Sequence, residues 1–341
     1  MDYKKVKKSE INQFIDNLIK DHNIVAPVRK DDIVVFNTIK PGDDIVLDYT
    51  NTVKSPKEVV IPQLETLLSY DTEDITSVKE HIDKQKQLIL FGARPCDARS
   101  LLFLDSVFND EKNRDVYYKT RRDALLVISL GCTQPQETCF CTTTGGGPFS
   151  SEGPDLLLVD IGNDYIIQVI TDKGAALVKE LNLKNAQKDK VTEMDRIIKK
   201  NEARIEPDLE LKDLKDKLDN SFDGSEWGML TEKCLSCGIC TYLCPTCQCF
   251  DIVDEEKGRK GERIRIWDSC QFPCFTMQAS GFNPRPTFKE RYRQRIMHKF
   301  SYCIDNYGMA GCVGCGRCIT ECPVNLDIRQ VLTSLYYRQE K

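Results

Sequence analysis

Two stretches of this 341-residue chain repeat one spacing of cysteines. Residues 234–245 read CLSCGICTYLCP and residues 312–323 read CVGCGRCITECP, each a C-x2-C-x2-C-x3-C-P run. Thiolates at this spacing are the donor pattern of paired [4Fe–4S] clusters. Three cysteines on a tight turn can reach three corners of one cubane. The fourth stands where a helix departs and points the other way. Proline after it keeps the chain extended, and Gly238 and Gly316 let the backbone approach the sulfides. The crossed assignment gives one cluster Cys234, Cys237, Cys240 and Cys322, and the other Cys312, Cys315, Cys318 and Cys244. Structural zinc is the alternative, but it usually uses separated C-x2-C knuckles. Relaying single electrons is the chemistry this spacing supports.

The chain has 17 cysteines, an odd number that rules out complete internal pairing. Only Cys96, Cys132, Cys139 and Cys141 fall in the first 230 residues. Cys96 and Cys132 each follow a buried-type strand, and Cys139 and Cys141 lie in the loop that starts at the second. The four can hold a third [4Fe–4S] cluster, a zinc ion, or no metal, as a redox-active or packed set. Between the two runs, residues 245–311 are longer than a small ferredoxin needs. They carry Cys247, Cys249, Cys270 and Cys274, read as a weaker candidate for an extra zinc or cluster or as core packing, with Cys303 standing alone. The basic stretch NPRPTFKERYRQRIMHKF either docks an acidic partner or neutralises cluster charge.

Charge and composition exclude several classes. The net charge is −5, which argues against a general nucleic-acid binder. Residues 231–341 carry 16 Lys+Arg against 12 Asp+Glu, so the cysteine-rich part is the basic part. No apolar run is long enough for a membrane span, and MDYKKVKKSEINQ lacks the apolar core of a secretory signal. A cytoplasmic protein is expected. Gly145–Gly147 is a glycine run that could cradle a flavin phosphate, but no G-x-G-x-x-G or P-loop pattern supports a nucleotide, so no flavin is assigned to this chain. No nucleophile–base constellation is present, and no catalytic residue is assigned. Arg94 and Asp97 flank Cys96 and are read as a charge balance and a helix cap.

These cysteines require elements that position them. Ser9 is read as the cap of a helix to Ile19, followed by strands in IVAPV, DIVVFNTI and DIVLDY. PKEVVIPQLETLLSY reads as a loop and a short helix. LILF, the helix DARSLLFLDSVF and ALLVISL form a βαβ unit that brings Cys96 and Cys132 to one sheet edge. A hairpin spans 155–171 and a helix runs from about Gly174 to Leu181. The expected fold class is α+β. Residues 1–181 form an α/β domain, 182–226 a charged helical linker, and 227–341 a two-[4Fe–4S] ferredoxin domain with the insertion 245–311.

FGARPCDARSLLFLD, ETCFCTTTGGGP, CPTCQCFD, WDSC, NPRP and the two runs together resemble the beta subunit of cytoplasmic sulfhydrogenases. They are also similar to the iron–sulfur subunit of anaerobic sulfite reductase. The resemblance spans roughly residues 85–327. It implies an iron–sulfur subunit that passes electrons between a flavin subunit using NAD(P)H and a catalytic hydrogenase or reductase subunit. It extends to Cys96, Cys132, Cys139 and Cys141 as motif positions. A self-contained iron–sulfur enzyme is the remaining alternative.

Overall fold

The computed structural model describes residues 2–82, 87–205 and 213–337. The strands of the first half are β1 (Asp2–Lys7), β2 (Asn23–Lys30), β3 (Ile33–Thr38), β4 (Leu64–Asp71), β5 (Asp74–Glu80) and β6 (Leu88–Ala93). Then come β7 (Leu125–Leu130), β8 (Leu156–Asp160), β9 (Asp164–Val169), β10 (Lys184–Asn185), β11 (Phe250–Lys257) and β12 (Lys260–Trp267). Helices α1 (Ile11–Asp21), α2 (Pro95–Phe108), α3 (Val116–Ala124), α4 (Asp172–Glu180) and α5 (Lys188–Glu202) belong to the amino-terminal part. Helices α6 (Leu214–Asn220), α7 (Glu226–Thr231), α8 (Ile239–Tyr242) and α9 (Phe288–Met297) follow, then α10 (Cys303–Tyr307), α11 (Arg317–Thr320) and α12 (Ile328–Tyr337).

Eight strands form one sheet in the order β10-β1-β9-β8-β7-β6-β2-β3. Its centre, β8-β7-β6-β2, is parallel. Every residue of β7 is buried, as a parallel strand covered on both faces requires. One face meets Phe14, Ile15 and Leu18 of α1. The other meets Leu101 and Leu104 of α2 and Tyr118 of α3. Because β6 and β7 run parallel, Cys96 and Cys132 leave the same end of the sheet.

Several elements differ from the sequence reading. PKEVVIPQLETLLSY carries a 3₁₀ turn at Pro56–Val59 and then the strand β4, not a helix. Strand β4 pairs with β5 close by, but its other partner, β12, lies far along the chain. Strands β11, β12, β4 and β5 make a second, antiparallel sheet. The insertion is thereby joined to the amino-terminal part. Buried Glu65 of β4 takes Arg265 of β12 at 2.6 Å and Arg121 of α3, and Arg265 also reaches Asp115 at the cap of α3. In DIVLDY only Ile45 forms a bridge, to Val28, and no extended strand results. A 3₁₀ turn over Lys8–Glu10 delays α1, so Glu10 takes the cap position read for Ser9.

Residues 182–226, read as a linker, contribute to two cores. Met194 of α5 packs on Leu157, Val159 and Ile166 of the large sheet. Leu214 and Leu218 of α6, with Trp227 of α7, join Ile296, Phe300 and Leu332 in a carboxyl-terminal helical core. Each such buried aliphatic or aromatic side chain contributes about 1.5–3 kcal/mol.

Candidate metal centres

The two cysteine runs fold alike. Ser236 and Gly314 occupy the same place in each run, with φ of 52° and 62°. Gly238 and Gly316 also match, at 77° and 75°, and each introduces one helical turn, α8 or α11. Backbone amides then point at sulfur. Ser236 N donates to Cys234 Sγ at 3.4 Å, Gly314 N to Cys312 Sγ at 3.5 Å and Leu326 N to Cys322 Sγ at 3.3 Å. Such N–H···S contacts stabilise sulfur that carries negative charge.

Cys234, Cys237 and Cys240 line a cavity, and Cys322 of the second run reaches into it. Cys318, Tyr292 and Arg295 complete much of its wall. Cys244 of the first run is buried in turn and lies within electrostatic range of Cys312, Cys315 and Cys318. Burial pushes the Cys240 thiol up to about 12 against the pull of Arg295. It pushes Cys312 up to about 11 against Lys299. Thiols so placed ionise only beside strong positive charge, which metal ions supply. The donor set fits iron–sulfur clusters in chemistry, number and backbone support.

Cys96, Cys132, Cys139 and Cys141 also come together. Cys132, Cys139 and Cys141 influence one another, and Cys96 lies within range of Cys141 and Cys315. Arg94 starts α2, with Pro95 at its first position. Its guanidinium donates to the carbonyl of Gly131 at 2.9 Å and of Thr50 at 3.1 Å. Arg94 therefore ties the ends of β6 and β7 together, and burial pushes the Cys132 thiol up against the pull of that guanidinium. Asp97 does not cap α2. Arg94 holds that place, and the buried Asp97 carboxylate receives Arg317 at 2.6 and 2.9 Å.

The loop bearing Cys139 and Cys141 docks on the second run. Phe140 N donates to Gly314 O at 2.8 Å, and the Thr138 and Thr320 hydroxyls share a hydrogen bond of 2.8 Å. A Cβ at Gly314 would stand 2.4 Å from Phe140 O, so only glycine permits this approach. Cys139 Sγ lies 3.9 Å from Cys315 O.

In the insertion, Cys247, Cys249 and Cys270 share a second cavity with Cys303. Cys274 is exposed on the turn Pro273–Thr276 and does not line it. Sequence reasoning missed the individual cations around these sites. Arg291, Arg295 and Lys299 recur every four residues and are all buried. Lys299 Nζ donates to Cys244 Sγ at 3.2 Å and to Gly311 O at 2.6 Å. Lys57 Nζ donates to the carbonyls of Cys244 and Cys247 at 2.9 and 2.8 Å. The period of four within the basic stretch was the available signal, because it puts three cations on one helical face. For Lys57 the sequence carries none.

Among the described residues no helix is long and apolar enough to cross a membrane. The model of a 4Fe-4S dicluster domain matches residues 233–326. No solved structure matches the chain. Subunit beta of sulfhydrogenase 2 from Pyrococcus furiosus is 32% identical over 338 residues, which cover 97% of this chain and 98% of that one. The likeness runs through both halves of the fold, and the protein belongs to the family of sulfhydrogenase beta subunits.

Proposed function

We propose that this chain is the electron relay of a multisubunit oxidoreductase. It would stand between a flavin subunit that uses NAD(P)H and a catalytic subunit of the hydrogenase type. The observation that carries the reading is the exchange of cysteines between the runs, with Cys322 beside Cys234, Cys237 and Cys240, and Cys244 beside Cys312, Cys315 and Cys318. A [4Fe–4S] cluster, when bound, accepts and releases one electron. The chain's own residues hold the sulfurs by backbone amides, exclude water by burial and balance charge with Arg295, Arg317, Lys57 and Lys299. Cys96, Cys132, Cys139 and Cys141 are proposed to hold a third cluster. Its support is the docking of their loop against the second run, which would bring two redox centres close together.

The relative's designation favours a hydrogenase partner over a sulfite-reducing one. All 17 cysteines are free thiols in the structure, which suits a reducing cytoplasm. The test is iron analysis of anaerobically purified chain. Cys139→Ser should remove up to about four irons, the content of one [4Fe–4S] cluster, and one EPR signal. Unchanged iron and EPR would remove the third cluster from the proposal. Wild-type chain with fewer than about eight irons would end the relay reading itself.

A further inference from the structure

Cys247, Cys249, Cys270 and Cys303 line one small cavity. Separate elements bring the four thiols there. Cys249 and Cys270 flank the β11–β12 hairpin, whose last pair is Phe250 with Trp267. The hairpin closes with Asp268 N donating to Cys249 O at 3.0 Å. Cys249 and Cys270 thereby come within electrostatic range of each other. Cys247 follows the last cysteine of the first run by three residues. Cys303 begins α10, just after a wide, π-type turn over His298–Tyr302 that continues α9. Such turns change the facing of the residues that follow them. Here Cys303 ends at 1% exposure, and a Cβ on Gly311 would meet its sulfur at 2.9 Å.

The charges around this cavity need an anion. Arg295, His298 and Lys299 line it, and no acidic side chain does. Arg295 Nη1 donates to Cys247 Sγ at 3.5 Å, while its buried Nη2 has no hydrogen-bond partner. Lys299 already has the Cys244 sulfur, but the partnerless Nη2 of Arg295 is a buried cationic donor that an anionic cluster in this cavity would compensate. Among the described residues no three His, Cys, Asp or Glu side chains converge on the position of a single metal ion. All four cysteines line the one cavity, and four thiolates are the donor set of a cubane cluster.

We propose that Cys247, Cys249, Cys270 and Cys303 hold a further iron–sulfur cluster of the [4Fe–4S] type. Arg295 lines both this cavity and that of Cys234, Cys237 and Cys240, so the new centre lies next to the first-run site. Its role as a branch of the relay rests on the proposed function; its existence does not.

The test compares the full chain, purified anaerobically, with Cys303→Ser, Cys249→Ser and Cys274→Ser. Wild-type chain should hold about sixteen irons, four for each of four clusters. Cys303→Ser and Cys249→Ser, which alter cysteines from separate elements, should each lose between about one and four irons, as one [4Fe–4S] centre degrades or departs. Both should keep the EPR signals of the ferredoxin-run centres, and Cys274→Ser should match wild type. The proposal is overturned if iron is unchanged in both cavity variants, or if Cys274→Ser loses iron. Zinc in place of iron, a Cys249–Cys270 disulfide in fully iron-loaded protein, or loss of more than one cluster from both cavity variants would also overturn it. A wild-type content near twelve irons with unchanged cavity variants would remove this centre and leave the relay intact.

Discussion

The two cysteine runs share a backbone and differ in their surroundings. Around the first, Cys237 is exposed and Leu235 is 64% exposed, so the site approaches the surface. Around the second, Cys312 and Cys315 are buried, and the loop of Cys139 and Cys141 lies across the run. Lys299 and Arg317 stand beside it, one donating to Cys244 Sγ and the other held by Asp97. One motif therefore yields two environments. On the proposed relay function, the open site is the one a partner would reach at short range. The enclosed one has fixed positive charge beside it, which would raise the potential of a bound cluster, while exclusion of water would act the other way.

The largest expected effect comes from breaking the clamp on the enclosed site. Arg317→Met leaves Asp97 buried without a partner, which costs about 3–5 kcal/mol. The denaturant midpoint of the loaded protein should fall accordingly, and Arg317→Met/Asp97→Asn should recover part of the loss. A change below about 1 kcal/mol, the range of exposed pairs, would show that the clamp does not distinguish the two sites.

Removing charge without breaking an ion pair should act more selectively. Lys299→Met should lower the midpoint potential of the second-run centre by about 60 mV or less, the shift for a tenfold change in a one-electron equilibrium. The first-run centre should move less, as read by EPR-monitored redox titration. Equal shifts at both would erase the electrostatic contrast.

The smallest effect should leave the contrast alone. Helix α9 carries Arg295 toward both sites and begins with a capping box of Thr287 and Glu290. Burial opposes ionisation of Glu290, but hydrogen bonds from the Thr287 side chain and backbone hold its carboxyl at about 2. A carboxylate with a depressed pKa contributes stability above its unfolded value near 4.3, and that contribution is lost as pH falls toward about 2. Glu290→Gln should cost about 1 kcal/mol at pH 7 and less as the pH is lowered through that window, with both potentials unchanged. A thermal-shift series across pH would check it.

The legible parts of the molecule were those whose signals are local. The runs announced their spacing, and LILF and ALLVISL read as buried strands because they are continuous apolar runs. Strand β4 was illegible. Buried Glu65 is sustained by Arg121 and Arg265, the latter 200 positions later. The exchange of Cys303 for Cys274 was hidden for a similar reason. Sequence proximity joins Cys270 and Cys274, whereas a wide turn after α9 brings Cys303 to the cavity. The lysines and arginines of the basic stretch showed their charge but not their burial, since a cation inside a protein is sustained by neighbours that lie elsewhere in the chain.

The small sheet sets a timetable for the newborn chain. Strand β4 leaves the ribosome long before β12 exists to pair with it, and until then one of its edges stands open. Only when the hairpin of β11 and β12 emerges, after Cys244 and before Cys312, can that edge be sealed. Synthesis thus closes the amino-terminal half just ahead of the second cysteine run, so the last thiolates arrive at a scaffold already shaped to receive them.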